Sequence, residues 1–294
     1  MSEPVKFPVH RPEAGVTLLE FLAGRLSVSR KQAKRLLDQR CVFVNGRRVW
    51  MAHHALAAGD DVEATLETKQ PARREKREIR GIREKKLVTL WEDEDYLVVN
   101  KPAGLTSNGP GSVENLLVRQ EGMEAFRVAH RLDRDTTGCL LCAKHADAFG
   151  KAITMFREGV VKKQYLVIVS GFVRKAEFAI SKPLDGQTAV TRAQRLDANA
   201  KASYLLVDLE TGRTHQIRRH LAAAGHPVLG EKQYRPGRDV PPQERRIARQ
   251  MLHAYRISFT HPFTQNEIRR EAPPPKDFLT CLREFNLYHD EKTR

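Results

Sequence analysis

The residues whose types could do chemistry are concentrated in one short polar run, His130–Gly138 (HRLDRDTTG), which leads directly into an apolar segment. The run holds two carboxylates, three cationic side chains and two hydroxyls. A polar loop at the end of a rigid strand is a common place for binding or catalytic groups, because the strand fixes what the loop presents. A turn whose Asp and Thr side chains bond the local backbone would have the same composition. The loop alone therefore leaves both interpretations open.

A second polar run, Gly212–Leu221 (GRTHQIRRHL), has the pattern of a helix start. Thr214 is the expected N-cap, and Gly225 is expected to end the helix. Ile217 and Leu221 lie one turn apart and should point inward. This arrangement places the polar side chains of the run beside a buried helix face.

Arg218 stands in the first turns of this helix, where a positive charge opposes the helix macrodipole. It therefore needs a carboxylate partner, and Asp133 in the first polar run is the candidate. Tyr165 lies near the start of a β-rich run, residues 162–171, where the default expectation is an aromatic ring packed at a strand end.

The segments around these residues alternate between strand and helix patterns. Strands are predicted at residues 87–91, 96–100, 139–143, 162–171 and 204–209. Cys139 and Cys142 would lie on opposite faces of their strand, which favours core packing over a redox or metal pair.

A helix is predicted over residues 145–157, closed by Gly159. Phe149, Ile153 and Phe156 recur along it at helical spacing. We expect this apolar stripe to lie in the core.

The first part of the chain has its own helix and hairpin signals. Thr17 and Ser29 each begin a capping box, and Asn45–Gly46 is a strong hairpin turn. Basic residues cluster on the second helix and the hairpin: Arg30, Lys31, Lys34, Arg35, Arg47 and Arg48. This order of elements resembles the S4 RNA-binding domain over residues 15–66, which implies that these cations contact RNA. A generic helix and hairpin module with solvated charges is the alternative, and the basic residues 67–86 are interpreted as a linker.

Composition limits the class of protein. The chain has 294 residues, with 51 Lys and Arg against 36 Asp and Glu, a formal charge of +15 and a pI near 9.9. A charge of this size favours a nucleic-acid partner. No run approaches the roughly 18 apolar residues of a membrane span, and no signal peptide opens the sequence. We expect a cytoplasmic monomer that binds no membrane and, with four cysteines, carries reduced thiols.

Together the two polar runs resemble the signature motifs of the RluA-type pseudouridine synthases. Further stretches fit in the expected order: residues 98–105 (VVNKPAGL), 163–165 (KQY), 225–230 (GHPVLG) and 253–262 (HAYRISFTHP). The resemblance spans residues 87–284. It implies an α+β fold with a large, mainly antiparallel mixed sheet and a central cleft, preceded by the small S4-like α/β module. It also implies isomerisation of selected RNA uridines to pseudouridine, with no cofactor and no metal.

By the same resemblance, Asp133 is the essential aspartate, Arg218 is its partner, and Tyr165 is the ring that stacks on the target uracil. Arg131 fills the space that the flipped nucleotide leaves, and His130 supports the loop and the RNA backbone. The reaction requires a carboxylate near C1′, acting either as a nucleophile or as a base that promotes elimination. The sequence leaves both routes open.

The departures from the family pattern are small: Glu231 stands where aspartate is usual, and Thr137 where many relatives have serine. Large-subunit ribosomal RNA is favoured as the substrate, because an S4-like module most often accompanies that class, and transfer RNA is the alternative. A non-enzymatic hypothesis is that the protein is an RNA chaperone or assembly factor. A metal-dependent nuclease or phosphotransferase lacks support, since the chain has no P-loop, no HExxH and no clustered carboxylates for two metals.

Overall fold

The computed structural model describes residues 5–26, 28–38, 42–49, 51–64, 87–121, 126–235 and 240–288. The chain divides into two compact units, Met1–Glu78 and Ile79–Arg294. The predicted linker, residues 67–86, falls entirely in the gap between residues 64 and 87 and lies outside the described residues.

Among its described residues, the smaller unit has an antiparallel four-stranded sheet and two α-helices. The strands are β1 (Val5–Pro8), β2 (Val42–Val44), β3 (Arg47–Arg48) and β4 (Asp61–Ala64), in the order β1-β4-β2-β3, and the helices are α1 (Leu18–Arg25) and α2 (Arg30–Asp38). Their apolar sides meet in one core that includes Leu18, Leu22, Ala33, Leu37 and Val62. Burial of these side chains is what holds so small a sheet together.

Local sequence explains where these elements begin and turn. The Thr17 hydroxyl accepts a hydrogen bond of 3.4 Å from the Glu20 N–H and so caps α1. Asn45 and Gly46 have φ angles of 51° and 73°, the positive values that a two-residue hairpin turn requires. The predicted helices and hairpin are confirmed. Strands β1 and β4 were not anticipated, and the S4-like assignment stays a prediction.

The described part of the larger unit is built on a ten-stranded sheet. Its strands are β5 (Val88–Glu92), β6 (Tyr96–Lys101), β7 (Arg127–Val128), β8 (Thr137–Ala143), β9 (Lys162–Ser170), β10 (Glu177–Ile180), β11 (Thr191–Ala198), β12 (Ala202–Leu209), β13 (Leu252–Thr260) and β14 (Glu267–Glu271). The main path is β10-β11-β12-β9-β13-β8-β6-β5, with β14 beside β13 and β7 beside β8. Within the described sheet only β8 and β13 run parallel. The predicted large, mainly antiparallel mixed sheet is therefore confirmed.

Strand β8 lies in the middle of this sheet and is buried at every position. Cys139 packs into the cluster that contains Tyr96 and Phe259, whereas Cys142 packs into the cluster on the other face, with Leu140 and Val167. Both thiols are free and buried, as period-two geometry predicted. The two cysteines are core residues.

Gly138 fixes the point where the polar run enters the sheet. It pairs with Ala254 in the parallel contact between β8 and β13, and its φ is 112°. A Cβ at this position would lie 2.1 Å from the Ala254 carbonyl oxygen. Only glycine fits both the conformation and the close approach, so the loop before it is held against β13.

Four α-helices accompany the sheet in the described residues. They are α3 (Val113–Glu121), α4 (Ala146–Glu158), α5 (Gln216–Ala223) and α6 (Lys276–Glu284). His145 caps α4 by accepting the Ala148 N–H at 3.3 Å, and Gly159 closes it with a φ of 73°. None of the described helices combines the length and the apolar character that a membrane crossing requires.

The expectation that Phe149, Ile153 and Phe156 form a core stripe was wrong for Ile153 and held only in part for the two phenylalanines, which pack against the core without being fully buried. Helix α4 is rotated so that Ala148, Ala152 and Met155 face inward, because small residues let the helix pack closely on the sheet. The Ile153 side chain is 43% exposed, and both phenylalanines are only partly buried. The larger side chains therefore flank the packed face.

The expected cap of α5 was also wrong. His215, not Thr214, occupies the N-cap position, with a φ of 54° and no side-chain cap. The turn is instead bonded by Gln216, whose side-chain oxygen accepts the Arg213 N–H at 3.0 Å and the Thr211 hydroxyl at 2.8 Å. The Gln216 side chain, inside the helix, therefore stabilises the turn that precedes it.

Candidate active site

A cavity of about 880 Å³ opens in the larger unit between the loop before β8, strand β9 and the start of α5. Asp133, Tyr165 and Arg218 all line it, together with His130 and Arg131. Three separate segments therefore bring the predicted catalytic residues to one place, and the predicted central cleft is present.

Arg218 joins two carboxylates. Its Nη1 donates to Asp133 Oδ2 at 2.9 Å, so the predicted contact between these residues is confirmed. On its other edge, Nε donates to Glu231 Oε2 at 2.6 Å and Nη2 to Glu231 Oε1 at 2.8 Å. Burial alone would lower the pKa of Arg218, but its hydrogen bonds to both carboxylates outweigh burial and raise the pKa. The guanidinium is therefore charged, and a cation near the helix N-terminus is offset from two sides.

The Glu231 side chain is fully buried and forms the base of this network. Its Oε1 also accepts three backbone N–H groups, from Lys232, Gln233 and Tyr234. Burial would raise the pKa of this carboxyl, yet the bonds from Arg218 and the backbone bring it down to about 2. Gly230, with a φ of 78°, permits the turn, since a Cβ there would lie 1.9 Å from the Arg249 carbonyl oxygen.

The two oxygens of Asp133 have different surroundings. Oδ2 is held by Arg218, whereas Oδ1 lies 3.7 Å from His215 Nε2, beyond hydrogen-bond reach. The His215 ring is fixed by a bond of 2.8 Å between Nδ1 and the Tyr234 hydroxyl, and the Tyr234 ring stands 5.2 Å from the Arg218 guanidinium. Burial lowers the pKa of His215 against the opposing pull of Asp133. One oxygen is thus anchored and the other faces the cavity.

The backbone of the Asp133 loop is bound by a second loop, residues 101–107. Lys101, which is 0% exposed, donates from Nζ to the Arg134 carbonyl oxygen at 2.9 Å and to two carbonyls of its own loop. The Ser107 hydroxyl donates to the Leu132 carbonyl at 3.1 Å and accepts the Leu132 N–H at 2.9 Å. The residues on both sides of Asp133 are therefore pinned. Burial lowers the pKa of Lys101 to about 7, although Asp135 and Asp133 act in the opposite direction.

Tyr165 projects from β9 into the cavity and is 6% exposed. Burial, with a further contribution from Asp133, raises the pKa of its phenol. The hydroxyl is therefore protonated at neutral pH and is a poor proton acceptor. A flat neutral ring beside Asp133 fits the predicted stacking role, which stays a prediction.

His130 and Arg131 differ in their contacts. His130 Nε2 accepts the Leu141 N–H at 3.1 Å, and its ring packs 4.9 Å from that of Phe156. Burial lowers the pKa of His130 to about 3, so the ring is neutral and supports the loop. Arg131 is exposed in the cavity wall. Contacts of either residue with RNA stay predictions.

The predicted RNA-binding cations of the smaller unit are only partly described. Arg30 is exposed and pairs with Glu20 at 2.6 Å, and Lys34 is exposed. The side chains of Lys31, Arg35, Arg47 and Arg48 lie outside the described part of the structure. Their predicted contacts with phosphates are therefore untested.

One group in the described residues has the composition of a metal site: Asp93, Asp95 and His261, with ligand atoms within 4.8 Å of one another. His261 Nδ1 accepts the Thr264 N–H at 3.1 Å, which places the ring proton on Nε2, 3.0 Å from Asp93 Oδ2. That tautomer offers no lone pair to a metal. The group is better explained as one histidine in contact with two carboxylates, away from the cavity.

Sequence reasoning expected the loop at residues 106–110, which contains Ser107, to lie beside the site, but it missed Lys101, Glu231 and His215. Glu231 had been noticed only as a departure from the family pattern, although its position after a glycine turn was a usable signal. Nothing in the local sequence marks Lys101 as buried, because lysine after a strand is usually solvated.

Comparisons with known proteins agree with this geometry. A protein family described as RNA pseudouridylate synthase matches residues 95–223. Ribosomal large subunit pseudouridine synthase C of Vibrio vulnificus (strain CMCP6) is 32% identical over 283 residues, which covers 88% of this chain and 90% of that protein. Ribosomal large subunit pseudouridine synthase D of Pasteurella multocida (strain Pm70) is 29% identical over 299 residues, which covers 90% of each chain.

Solved structures show the same fold. Human RNA pseudouridylate synthase domain containing 4 has a TM-score of 0.59 at 22% identity and covers 69% of this chain and 95% of its own. A second human protein, RNA pseudouridylate synthase domain containing 1, has a TM-score of 0.54 at 24% identity and covers 70% of this chain and 97% of its own. Since a 32% identical relative aligns along most of the length, the chain belongs to the RNA pseudouridylate synthase family, as its RluA-type motifs indicated.

Proposed function

We propose that this chain isomerises uridines of large-subunit ribosomal RNA to pseudouridine. The bacterial relatives described above carry that activity in their names, and they align with most of this chain. The formal charge of +15 suits a polyanionic substrate. The position of Asp133 is the main support for the proposed catalytic activity. Its Oδ2 is anchored by Arg218, and its Oδ1 is open to the cavity.

The reaction needs no external redox partner. The N1–C1′ bond of uridine breaks, C5 joins C1′, C5 loses a proton and N1 gains one, so the atoms and electrons balance within the nucleotide. Asp133 serves either as a nucleophile at C1′ or as a base that promotes elimination, and Oδ1 is the oxygen available for both routes. Arg218 keeps the carboxylate in one orientation throughout.

The target nucleotide must leave its stack to reach Asp133. Tyr165 offers a neutral ring on which the uracil can stack, and Arg131 is exposed where a long cation can fill the gap in the RNA. The cations of the smaller unit bind phosphates of the same RNA that lie farther from the target nucleotide.

Pseudouridine mapping of total RNA tests this proposal. Cells with the gene, without it and with Asp133→Asn are compared, and we expect one or a few ribosomal sites to be lost in both altered strains. If the lost pseudouridines lie in transfer RNA instead, transfer RNA is the substrate and the ribosomal assignment is wrong. An unchanged pseudouridine map in both strains would contradict the proposed function and favour a non-catalytic RNA-binding role.

A further inference from the structure

Lys163 occupies a place in the cavity wall that the reaction described above does not use. It lies two residues before Tyr165 on β9, and because side chains alternate along a strand, both point to the same face. Its Nζ stands 5.6 Å from the centre of the Phe156 ring and 3.7 Å from the point where a Cβ on Gly212 would lie. The ammonium group is therefore held between two walls of the cavity.

This ammonium group lacks an anion. In the part of the chain that the structure describes, no carboxylate lies within ion-pair distance of Nζ, and its recorded partner is the Phe156 ring. Of the other acidic residues in the cavity wall, Glu210 pairs with Arg192, and Glu158 forms no ion pair with Lys163. Burial lowers the pKa of Lys163, because the charged form of a partly buried amine is destabilised when no anion pairs with it.

The contrast with Arg218 indicates what is missing. Arg218 lies in the same cavity and is matched by two carboxylates, whereas Lys163 has none among the residues that the structure describes. A ligand that brings its own negative charge would complete the site. An ammonium group is a compact point charge with three donors, which suits a phosphate oxygen.

The spacing along β9 identifies the anion. Two residues of a strand span roughly 6–7 Å, so Lys163 lies one nucleotide's reach from the ring of Tyr165. A uridine that enters the cavity to stack on Tyr165 carries a phosphodiester on each side of its ribose. Asp133 repels these phosphates, and Lys163 is the desolvated cation placed to offset that repulsion.

From these contacts we infer that Lys163 binds a phosphodiester directly flanking the target uridine. The inference rests on the proposed function and adds a binding residue to it. Exposed cations of the cavity wall, such as Arg131 and Arg157, meet phosphates from a solvated position. Lys163 meets its phosphate in a partly dry one, where the contact is stronger.

A double-mutant cycle between protein and RNA tests the contact. An RNA hairpin that carries the mapped uridine is prepared in three forms: unaltered, with a neutral methylphosphonate on the 5′ side of the uridine, and with one on the 3′ side. The affinities of wild type and Lys163→Met are measured for each form. We expect one of the two methylphosphonates to weaken wild-type binding about tenfold and to have no further effect on Lys163→Met.

Three further readouts separate this contact from a structural role. Lys163→Met should lower the slope of log affinity against log salt by about 0.7, the value for one phosphate contact on a single strand. Its melting temperature should equal or exceed that of the wild type, because an unmatched charge is removed. Lys163→Arg should regain part of the affinity. Lys162→Met is the matched control, since Lys162 is exposed on the opposite face of β9 and should leave the coupling unchanged.

The inference is overturned if both methylphosphonates weaken wild type and Lys163→Met equally, or if the salt slope of Lys163→Met equals that of the wild type. A fall in melting temperature without any coupling would assign Lys163 a structural role instead. Mapping of cellular RNA decides the proposed function independently, so failure of this coupling on a hairpin that the wild type does isomerise counts against Lys163 alone.

Discussion

Two buried cations hold the Asp133 loop, and they hold different parts of it. Arg218 binds the side chain of Asp133 and is itself matched by Glu231. Lys101 binds the loop's backbone through the Arg134 carbonyl, and no carboxylate lies within ion-pair distance of it among the described residues. The charge of one cation is neutralised by anions, whereas the other is solvated only by carbonyl dipoles.

The difference appears in the titration of the two groups. Hydrogen bonds to carboxylates raise the pKa of Arg218 despite its burial, while burial brings the pKa of Lys101 down to about 7. The Asp133 loop thus has an electrostatic contact at its side chain and dipolar contacts at its backbone. Removing the first should cost more than removing the second, since it leaves a charge buried without a partner.

Arg218→Ala is expected to have the largest effect. It leaves the buried Glu231 carboxylate unpaired, which should lower the free energy of unfolding by about 3–5 kcal/mol. It also releases Asp133, so the single-turnover isomerisation rate should fall more than RNA affinity. Denaturant unfolding and single-turnover kinetics measure the two effects.

The double variant Arg218→Ala/Glu231→Gln is the control for that experiment. Removing the stranded charge should restore most of the stability but none of the rate. A single-turnover rate near that of the wild type, accompanied by weaker RNA binding, would show that Arg218 serves RNA and not Asp133.

The loss of folding free energy at acidic pH should depend on Glu231. Its pKa in the folded chain is about 2, below its ordinary value of 4.5, so the carboxylate adds stability above pH 4.5 and loses it as the pH falls towards 2. Over that range the free energy of unfolding of the wild type should fall by roughly 3 kcal/mol more than that of Glu231→Gln. Parallel pH profiles for the two proteins would show that the Arg218 side of the loop is not anchored by charge.

Lys101→Met should have the smallest effect on stability. It leaves buried carbonyls without a donor but strands no charge, so we expect a loss of about 1–3 kcal/mol. The isomerisation rate should fall because the Arg134 carbonyl is released. Lys144→Met, which breaks a lysine contact outside the cavity, is the matched control and should leave the rate unchanged. A loss as large as that of Arg218→Ala would remove the distinction between the two cations.

Strands β7, β10, β11, β13 and β14 of the larger unit were not anticipated. The sequence did predict strands β5, β6, β8, β9 and β12, helices α4 and α5, and the meeting of Asp133 with Arg218. Those inferences succeeded because strand and helix periodicity is local, and because a cation at a helix start requires a partner wherever it lies. The second partner, Glu231, was missed because it comes from a turn, where no periodicity indicates which side chains are buried.

Other misses have a packing origin. The spacing of Ile153 fitted a core stripe, but Ala148 and Ala152 decided which face of α4 meets the sheet. Lys101 was placed just after the strand at residues 96–100, since a single sequence does not reveal that three carbonyls converge on its amine. Tertiary contacts of this kind become visible only when the chain is folded.

The most direct test of the central claim is the single-turnover isomerisation rate of Asp133→Asn on its mapped RNA, with affinity measured in parallel. The variant keeps the shape of the side chain and its contact with Arg218 but removes the nucleophilic or basic oxygen. We predict that RNA affinity stays at the wild-type level while pseudouridine formation becomes undetectable. A rate near that of the wild type would contradict the assignment of Asp133 as the catalytic residue.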